Sequence, residues 1–348
     1  MSLRLPTIKS SSDGNLVGAL DLGTNNCRLL IAETTESNYR VVDGFSKIVR
    51  FGEGLSERGL LSDAAINRTV AALKICSEKI ERRGVSNVRC VATEAARQAK
   101  NRYFFLKRVK AETNLVIEII SSREEAELTL AACSSLLDRT KKFALLFDIG
   151  GGSGEFVWVK LDRNHEAKIV GWISLPCGLM TLTEQHGNGD FSPKDYDNLV
   201  LKLIEMLEPF NSKFKISEYV EQGRVQLLGT AGTVTTIAGV NLNLPRYVRE
   251  RVDGSSLAFT DALRICRDLS TKKYTERASY PCIGSDRAEL IVAGCAVLEA
   301  VCRVWPVGRL RIADRGVREG ILAKMVKRFG EQKPNANNLR ASRTSFEN

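Results

Sequence analysis

Two aspartates in this chain each close an apolar run and are followed at once by a glycine-containing turn: Asp21 in LVGALDLGTNNCRLLIAET and Asp148 in FALLFDIGGGSGEF. A glycine turn leading out of a strand presents several bare N–H donors with no Cβ in the way, which suits phosphate. A carboxylate beside such a turn repels phosphate unless it holds a divalent cation, orients a water or bonds the turn's own N–H groups. After each turn a second apolar run follows, Arg28 to Ala32 and Phe156 to Val159, so each reads as a β-hairpin tip. No GxxxxGK[ST] occurs to make either one a strand-to-helix phosphate loop. Two such units far apart imply a duplicated architecture whose tips face one cleft.

Other segments belong to the same chemistry. LGTAGTVTTIAG is a strand running into a Gly/Thr turn and a helix, with Gly232 and Thr233 where helix N-terminal amides meet an anion. ATEAARQAKN sets Arg97 and Lys100 near a strand-to-helix junction, and ADRGVREG sets Arg315 and Arg318 about one turn apart. Ligands of layered α/β folds gather at strand ends. Glu124 and Glu125 open a helix directly after a strand; adjacent helical residues point in different directions, so one is expected to cap and the other to aim at substrate.

The elements that must position these residues can be read from periodicity. Strands near 16–34 and 39–50 precede a helix capped by Ser62 and ended by Gly84, a strand over 85–93, one helix over 94–113, a strand over 115–121 and a helix from 122. The second half repeats the order, with strands at 143–148, 155–160 and 168–175, a helix over 193–209, the strand VQLLGTA, helices at 260–270 and 286–303, and a last strand and helix from 309. Strands that cluster and then alternate with helices predict an α/β fold of mixed sheets flanked by helices. Gly150, Gly151 and Gly152 are expected to adopt backbone angles closed to other residues.

Composition narrows the function classes. With 348 residues, 43% hydrophobic and 26% charged, the chain can build two ordinary cores, and no apolar run approaches membrane length. The start lacks a signal-peptide core, so a loose leader and a cytoplasmic location are expected. Nine cysteines without a CxxC read as reduced thiols and argue against structural zinc. The two histidines, His165 and His186, lie in polar stretches that read as solvated loops, which excludes serine–histidine catalysis. Net charge +10 fits a polyanionic partner, while 7% aromatics without basic-aromatic interleaving argue against nucleic acid.

DLGTNNCRL, RFGEGL, ATEAARQAKN, SSREEAEL, DIGGGSGE, GTAGT and DRGVREG occur in an order that resembles the exopolyphosphatase/guanosine pentaphosphate phosphohydrolase (Ppx/GppA) family, from about residue 16 to 325. The resemblance implies two ribonuclease H-like domains of the actin, heat-shock chaperone and sugar kinase superfamily, with the active site in the cleft between them. It places a flexible leader at 1–14, domain I at 15–138 plus 314–329, domain II at 139–313 and a flexible tail at 330–348. The chain looks like a short form, without the helical phosphohydrolase-like domain that long members carry at the C-terminus.

The activity implied is hydrolysis of a terminal phosphoryl group from inorganic polyphosphate, or of the 5′ terminal phosphate of guanosine pentaphosphate, with Mg2+. Glu125 falls on the family's base and Asp148 and Glu155 on its metal ligands. Phosphate contacts fall on Gly23, Thr24, Asn25, Arg97 and Gly150, Gly151, Gly152 and Ser153; Asp21, Asn26 and Arg28 of the first tip and Gly232 and Thr233 of the helix start complete the expected set. The chain departs from the usual motifs at Thr24 and Asn26 in the first tip, at Gly154 in the second and at Ser122 before the glutamates. A homodimer is expected, so that a partner extends the basic track. A kinase-like transferase and a non-hydrolytic polyphosphate or alarmone sensor are the other classes that the same residues allow.

Overall fold

A computed structural model describes residues 16–332, apart from 36–37, 163, 165 and 187–189. The expected leader, the tail beyond 332 and His165 lie outside the described residues, and the last helix reaches Gln332, past the expected start of the tail.

The first sheet has the order β3-β2-β1-β4-β5, from β1 (Leu16–Leu22), β2 (Asn26–Thr34), β3 (Tyr39–Ile48), β4 (Asn87–Ala92) and β5 (Ile117–Ile119). The second is built from β6 (Phe143–Ile149), β7 (Gly154–Leu161), β8 (Ala167–Leu175), β9 (Val225–Thr230), β10 (Ser256–Ala258) and β11 (Arg309–Ile312), in the order β8-β7-β6-β9-β11-β10. Each begins with two antiparallel hairpin pairings and continues with two parallel ones, and β10 is an added edge. The duplication read from Asp21 and Asp148 is therefore a duplication of topology. The central strands β1 and β6 read as near-continuous apolar runs because helices cover both of their faces.

On one face of the first sheet lie α1 (Asp63–Arg82), α2 (Glu94–Gln98) and α3 (Arg102–Thr113), packed on Leu20, Leu29 and Ile31. Helix α1 starts where Ser62 accepts from the Ala65 N–H at 3.2 Å, as its sequence implies. The single helix expected over 94–113 is instead two. Ala99 is extended, and Asn101 donates its amide to the Leu61 carbonyl and accepts from the Leu61 N–H at 2.9 and 3.0 Å, which draws the chain off the helical path. On one face of the second sheet, α6 (Pro193–Phe214), α7 (Gly232–Asn241), α8 (Phe259–Thr271) and α9 (Ile291–Val304) pack around Phe147, Phe156 and Trp305; the short α5 (Leu179–Gln185) joins them.

Two helices tie the sheets together. Helix α4 (Ser122–Cys133) follows β5, yet Ala126, Leu130 and Cys133 pack on Ala144, Leu146 and Val157 of the second sheet. Helix α10 (Val317–Gln332) follows β11, yet Ile321 and Leu322 pack on Val17, Ala19 and Leu30 of the first. The helix that ends each repeat thus crosses to the other, and the two meet where a Cβ on Gly320 would lie 2.1 Å from the Leu128 carbonyl oxygen. Glu125 sits on one of these crossing helices and Arg318 on the other.

Candidate active site

The two hairpin tips meet beside a cavity of ≈ 1060 Å³ and both line it. They are built alike: the Gly23 N–H donates to Asn26 O, and the Gly150 N–H to Ser153 O, both at 2.9 Å. Each is held from behind through its carbonyls. Gly52 donates to Thr24 O, and Val49 and Arg50 donate to Asn25 O; Leu179 and Met180 donate to Gly150 O and Gly151 O. With the carbonyls engaged behind, the N–H groups of Thr24, Asn25, Gly151, Gly152 and Ser153 find no acceptor among the described residues. Unpaired backbone donors lining a cleft are the arrangement that binds phosphate oxygens.

The glycines act here by size. None of Gly23, Gly150, Gly151 and Gly152 has a positive φ, contrary to the backbone angles expected of the second tip. A Cβ on Gly152 would instead lie 2.6 Å from Thr24 Oγ1, and one on Gly151 3.1 Å from Asn25 Cβ, so the tips approach too closely for side chains. The departure at Gly154 has a similar cause, since a Cβ there would meet Cys177 Sγ at 2.5 Å. Backbone strain falls on Ala231, which takes φ 84° just before α7 in GTAGT, a conformation rare outside glycine.

Four carboxylates converge on the cavity. Asp148 and Glu155 are direct cross-strand partners on β6 and β7. Burial, with Asp21 adding repulsion, pushes Asp148 up to about 6, while a bond from Thr230 opposes the shift. Burial and the charge of Asp148 push Glu155 up to about 7, against hydrogen bonds from Ser153 and Ser174. No N–H of its own turn donates to the Asp148 carboxylate, which removes the Asx-turn reading. Glu125 is held well above the ordinary carboxylate range, first by burial and then by Glu155. Asp21 is raised by burial, and its Oδ1 is buried with no hydrogen-bond partner. In all four burial is the first cause, and it outweighs the arginines nearby, Arg97 at Glu125 and Arg28 near Asp21 and Asp148. Among the described residues no set of three or more His, Cys, Asp or Glu side chains forms a closed metal cage. Mg2+ needs none, because it is usually held by one or two carboxylates and keeps its waters, so the cross-strand pair Asp148 and Glu155 fits it.

The two glutamates point apart, as adjacent helical residues do, but neither is the cap expected of one of them. Ser121, not a glutamate, caps α4 by accepting from the Glu124 N–H at 3.2 Å; Glu124 pairs with Arg89 at 2.7 Å, and Glu125 turns into the cleft. Arg97 donates Nη1 to Glu125 at 2.8 Å and to Ile120 O at 2.9 Å, and its other nitrogens to Glu94. It is thus a support for Glu125 and not part of the cavity wall. Of the residues expected to bind or react, it alone is absent from that lining; Asp21, Gly23, Thr24, Asn25, Asn26, Arg28, Glu125, Asp148, Gly150, Gly151, Gly152, Ser153, Glu155, Gly232 and Thr233 all face the cavity. Ser153 directs its hydroxyl at Glu155, so only its N–H is free for phosphate.

Cations line the same cavity. Arg28, beside Asp21 in the β1–β2 register, is joined by Arg287 and Arg318. Burial and then the Arg28 charge pull Arg287 down; burial pulls Arg318 down, with Arg28 adding to it against Glu319. Neither Arg28 nor Arg287 has a carboxylate within salt-bridge distance among the described residues. Clustered guanidiniums without counterions are an anion site. Arg287, Lys47, Arg50 and Glu94 line the cavity without having been singled out in the sequence, where each reads as an ordinary charge on a helix or strand face. Arg315 is neutralised by Asp253 at 2.9 Å. His186 is no solvated loop residue: half-buried, it stacks on Phe191 at 5.0 Å, far from this chemistry. All nine cysteines are buried and free, and no described helix is long and apolar enough to cross a membrane.

The sequence pattern described as the Ppx/GppA phosphatase family matches residues 30–329. The chain is 27% identical to a putative exopolyphosphatase of Haemophilus influenzae over 90% of this chain and 92% of that one. It is 25% identical to the guanosine-5′-triphosphate,3′-diphosphate pyrophosphatase of Vibrio cholerae, over 95% of this chain and 63% of that protein. In structure it is similar to the Aquifex aeolicus member of the Ppx/GppA protein family, with a TM-score of 0.74 at 28% identity over 90% of this chain and 98% of the other.

Proposed function

This chain belongs to the Ppx/GppA phosphatase family, and we propose that it removes the terminal phosphoryl group of inorganic polyphosphate by attack of a water that Glu125 deprotonates. The observation that carries this reading is one cleft lined by four desolvated carboxylates, by unpaired backbone amides and by the cations Arg28, Arg287 and Arg318. Phosphoryl transfer needs little covalent help from the protein; it needs the phosphate held, its charge offset and the nucleophile placed.

The free amides of both tips hold the terminal phosphate, and Arg28 and Arg287 take the next charges along the chain. Arg97 fixes the Glu125 carboxylate so that it can accept the water's proton, and burial keeps that carboxylate basic. The water oxygen bonds to the terminal phosphorus while the anhydride bond breaks, and the shortened chain leaves with the bridging oxygen. Asp148 and Glu155 would hold Mg2+, with Asp21 beside them, and the ion would supply charge neutralisation at the phosphate oxygens.

Guanosine pentaphosphate is the second reading, favoured by the match to the Vibrio cholerae pyrophosphatase over 95% of this chain. Both substrates offer the same terminal phosphates. Phosphate release from long-chain polyphosphate and from guanosine pentaphosphate, measured side by side with and without Mg2+, tests the proposal. Faster Mg2+-dependent release from the polymer supports it, and faster release from the nucleotide replaces it with the second reading. Binding without release from either makes the protein a sensor.

A further inference from the structure

At one end of the cleft lies a second, smaller cavity of ≈ 410 Å³ whose lining carries five carboxylates, Glu53, Glu57, Glu184, Asp286 and Glu289, and a single cation, Arg50. Arg50 also lines the main cavity, so it stands where an acidic space meets the phosphate cleft. Its guanidinium reaches across the cleft to Glu289 at 3.0 Å. Its backbone is fixed independently: the Arg50 N–H donates to Asn25 O in the first tip, and the residue holds φ 46°, an uncommon conformation for a non-glycine. The backbone is therefore anchored to the phosphate tip while the side chain is held by the opposite lobe.

The pair is weak. Its side chains are 48% and 28% exposed, and exposed ion pairs contribute about 0–1 kcal/mol. A polyphosphate in the cleft brings several charges to the same guanidinium, and charge-assisted bonds to phosphate oxygens are the stronger kind. From these relations we infer that Arg50 is a substrate-binding residue held off by Glu289: in the free protein it ties the two lobes at this end, and an entering phosphate chain takes it over. Glu53 is neutralised by Arg68 and Asp286 lines both cavities, but Glu57 and Glu184 have no cation within ion-pair distance among the described residues and repel the chain, so the polymer runs toward Arg28, Arg287 and Arg318 and not into the smaller cavity. Glu184, which accepts from the Gly54 N–H and the Ser56 hydroxyl at 3.4 and 3.2 Å, is then the tie left across this end.

The inference rests on the polyanion reading of the cleft and has its own test. A merely structural ion pair weakens the protein alike from either side, whereas this one gives opposite signs. Binding of long-chain polyphosphate is measured in EDTA, so that turnover does not enter, together with KM and kcat in Mg2+. Glu289→Gln is expected to tighten binding and lower KM up to about fivefold, the equivalent of removing a competitor worth about 1 kcal/mol. Arg50→Gln is expected to weaken binding and raise KM about tenfold with kcat little changed, Arg50→Lys to recover part of it, and the double variant to match Arg50→Gln. Equal losses in both single variants, or no change in either, overturn the role of Arg50. Binding by the wild-type protein without phosphate release would overturn the hydrolase reading alone, and no binding would overturn both.

Discussion

Arg28 and Glu155 occupy the same position of two repeated hairpins. Each is the register partner of the aspartate that precedes its tip, Asp21 with Arg28 and Asp148 with Glu155. One repeat thus presents an acid beside a base and the other an acid beside an acid. The duplication supplies two similar frames, and this one exchange gives the cleft a cation beside the first tip and a second carboxylate beside the other.

Removing the positive member should therefore affect substrate and not metal. Arg28→Gln deletes a charge-assisted contact of about 1.5–3 kcal/mol, so KM for polyphosphate should rise about 10- to 100-fold while the Mg2+ concentration for half-maximal rate stays put. Steady-state assays at several Mg2+ concentrations separate the two. A shifted Mg2+ response with unchanged KM would show that Arg28 acts on the metal and not on the substrate.

Glu125 and Arg97 form a reacting group and its support. Glu125→Gln should keep polyphosphate binding and lower kcat about 10²- to 10⁴-fold, the range of general-base catalysis. Arg97→Lys keeps the charge but loses the fork that grips Glu125, Ile120 O and Glu94 together, and should lower kcat with KM little moved. A variant whose KM rises while kcat holds would return Arg97 to the phosphate-binding set.

Much of this site could be read from the sequence because local pattern dictates it. A strand, a carboxylate, a glycine tip and a return strand are all within reach of one another, so both tips with Asp21 and Asp148 were legible as neighbours of one cleft, whereas Glu155 entered only through the family resemblance. What depended on contacts between distant segments was not. The chain leaves its helix at Ala99 because Asn101 bonds Leu61. Arg97 turns away from phosphate because Glu94 and Glu125 claim all of its nitrogens. Arg287 enters the cleft from the far end of the second repeat, with nothing in GSDRAEL to mark it. Each repeat's last helix keeps an ordinary amphipathic pattern while crossing to the other sheet.

The raised carboxylates give the protein a pH dependence of stated sign. Asp148 at about 6 and Glu155 at about 7 bind protons more tightly folded than unfolded, where 3.8 and 4.5 apply. The folded state thus holds more protons between those values, and the stability they contribute, fully present below about 4, is lost as pH rises through 6 to 7. Without Mg2+, Asp148→Asn should melt above wild type at pH 8, by the equivalent of a few kcal/mol, and the gap should close at pH 4. Mg2+ should raise the melting temperature of wild type at pH 8 more than at pH 5, and that of the variant hardly at all. Thermal scans over pH, with and without the ion, check all three, and a variant less stable than wild type at pH 8 would contradict the cation-seeking reading of Asp148.

The glycines of the second tip admit a test between two physical causes. If Gly152 were needed for its backbone angle, alanine would be harmful whatever stood opposite. Its φ is not positive, and the obstacle to a Cβ is Thr24 Oγ1 at 2.6 Å, with Thr24 Cβ behind it at 3.3 Å. Gly152→Ala should accordingly force the tips apart, at an overpacking cost of about 1–3 kcal/mol, and misplace the free amides of Gly151 and Ser153 with a loss of activity. Thr24→Ala removes the opposing hydroxyl, so the double variant should regain stability over Gly152→Ala alone, a coupling that a double-mutant cycle measures directly. Gly178 provides the contrast, because there a Cβ would lie 2.1 Å from the backbone carbon of Gly152 and no side-chain truncation can relieve it. Gly178→Ala should stay defective in the Thr24→Ala background. If Thr24→Ala failed to rescue Gly152→Ala as well, the cause would be the backbone conformation of the tip and not the contact between the two repeats.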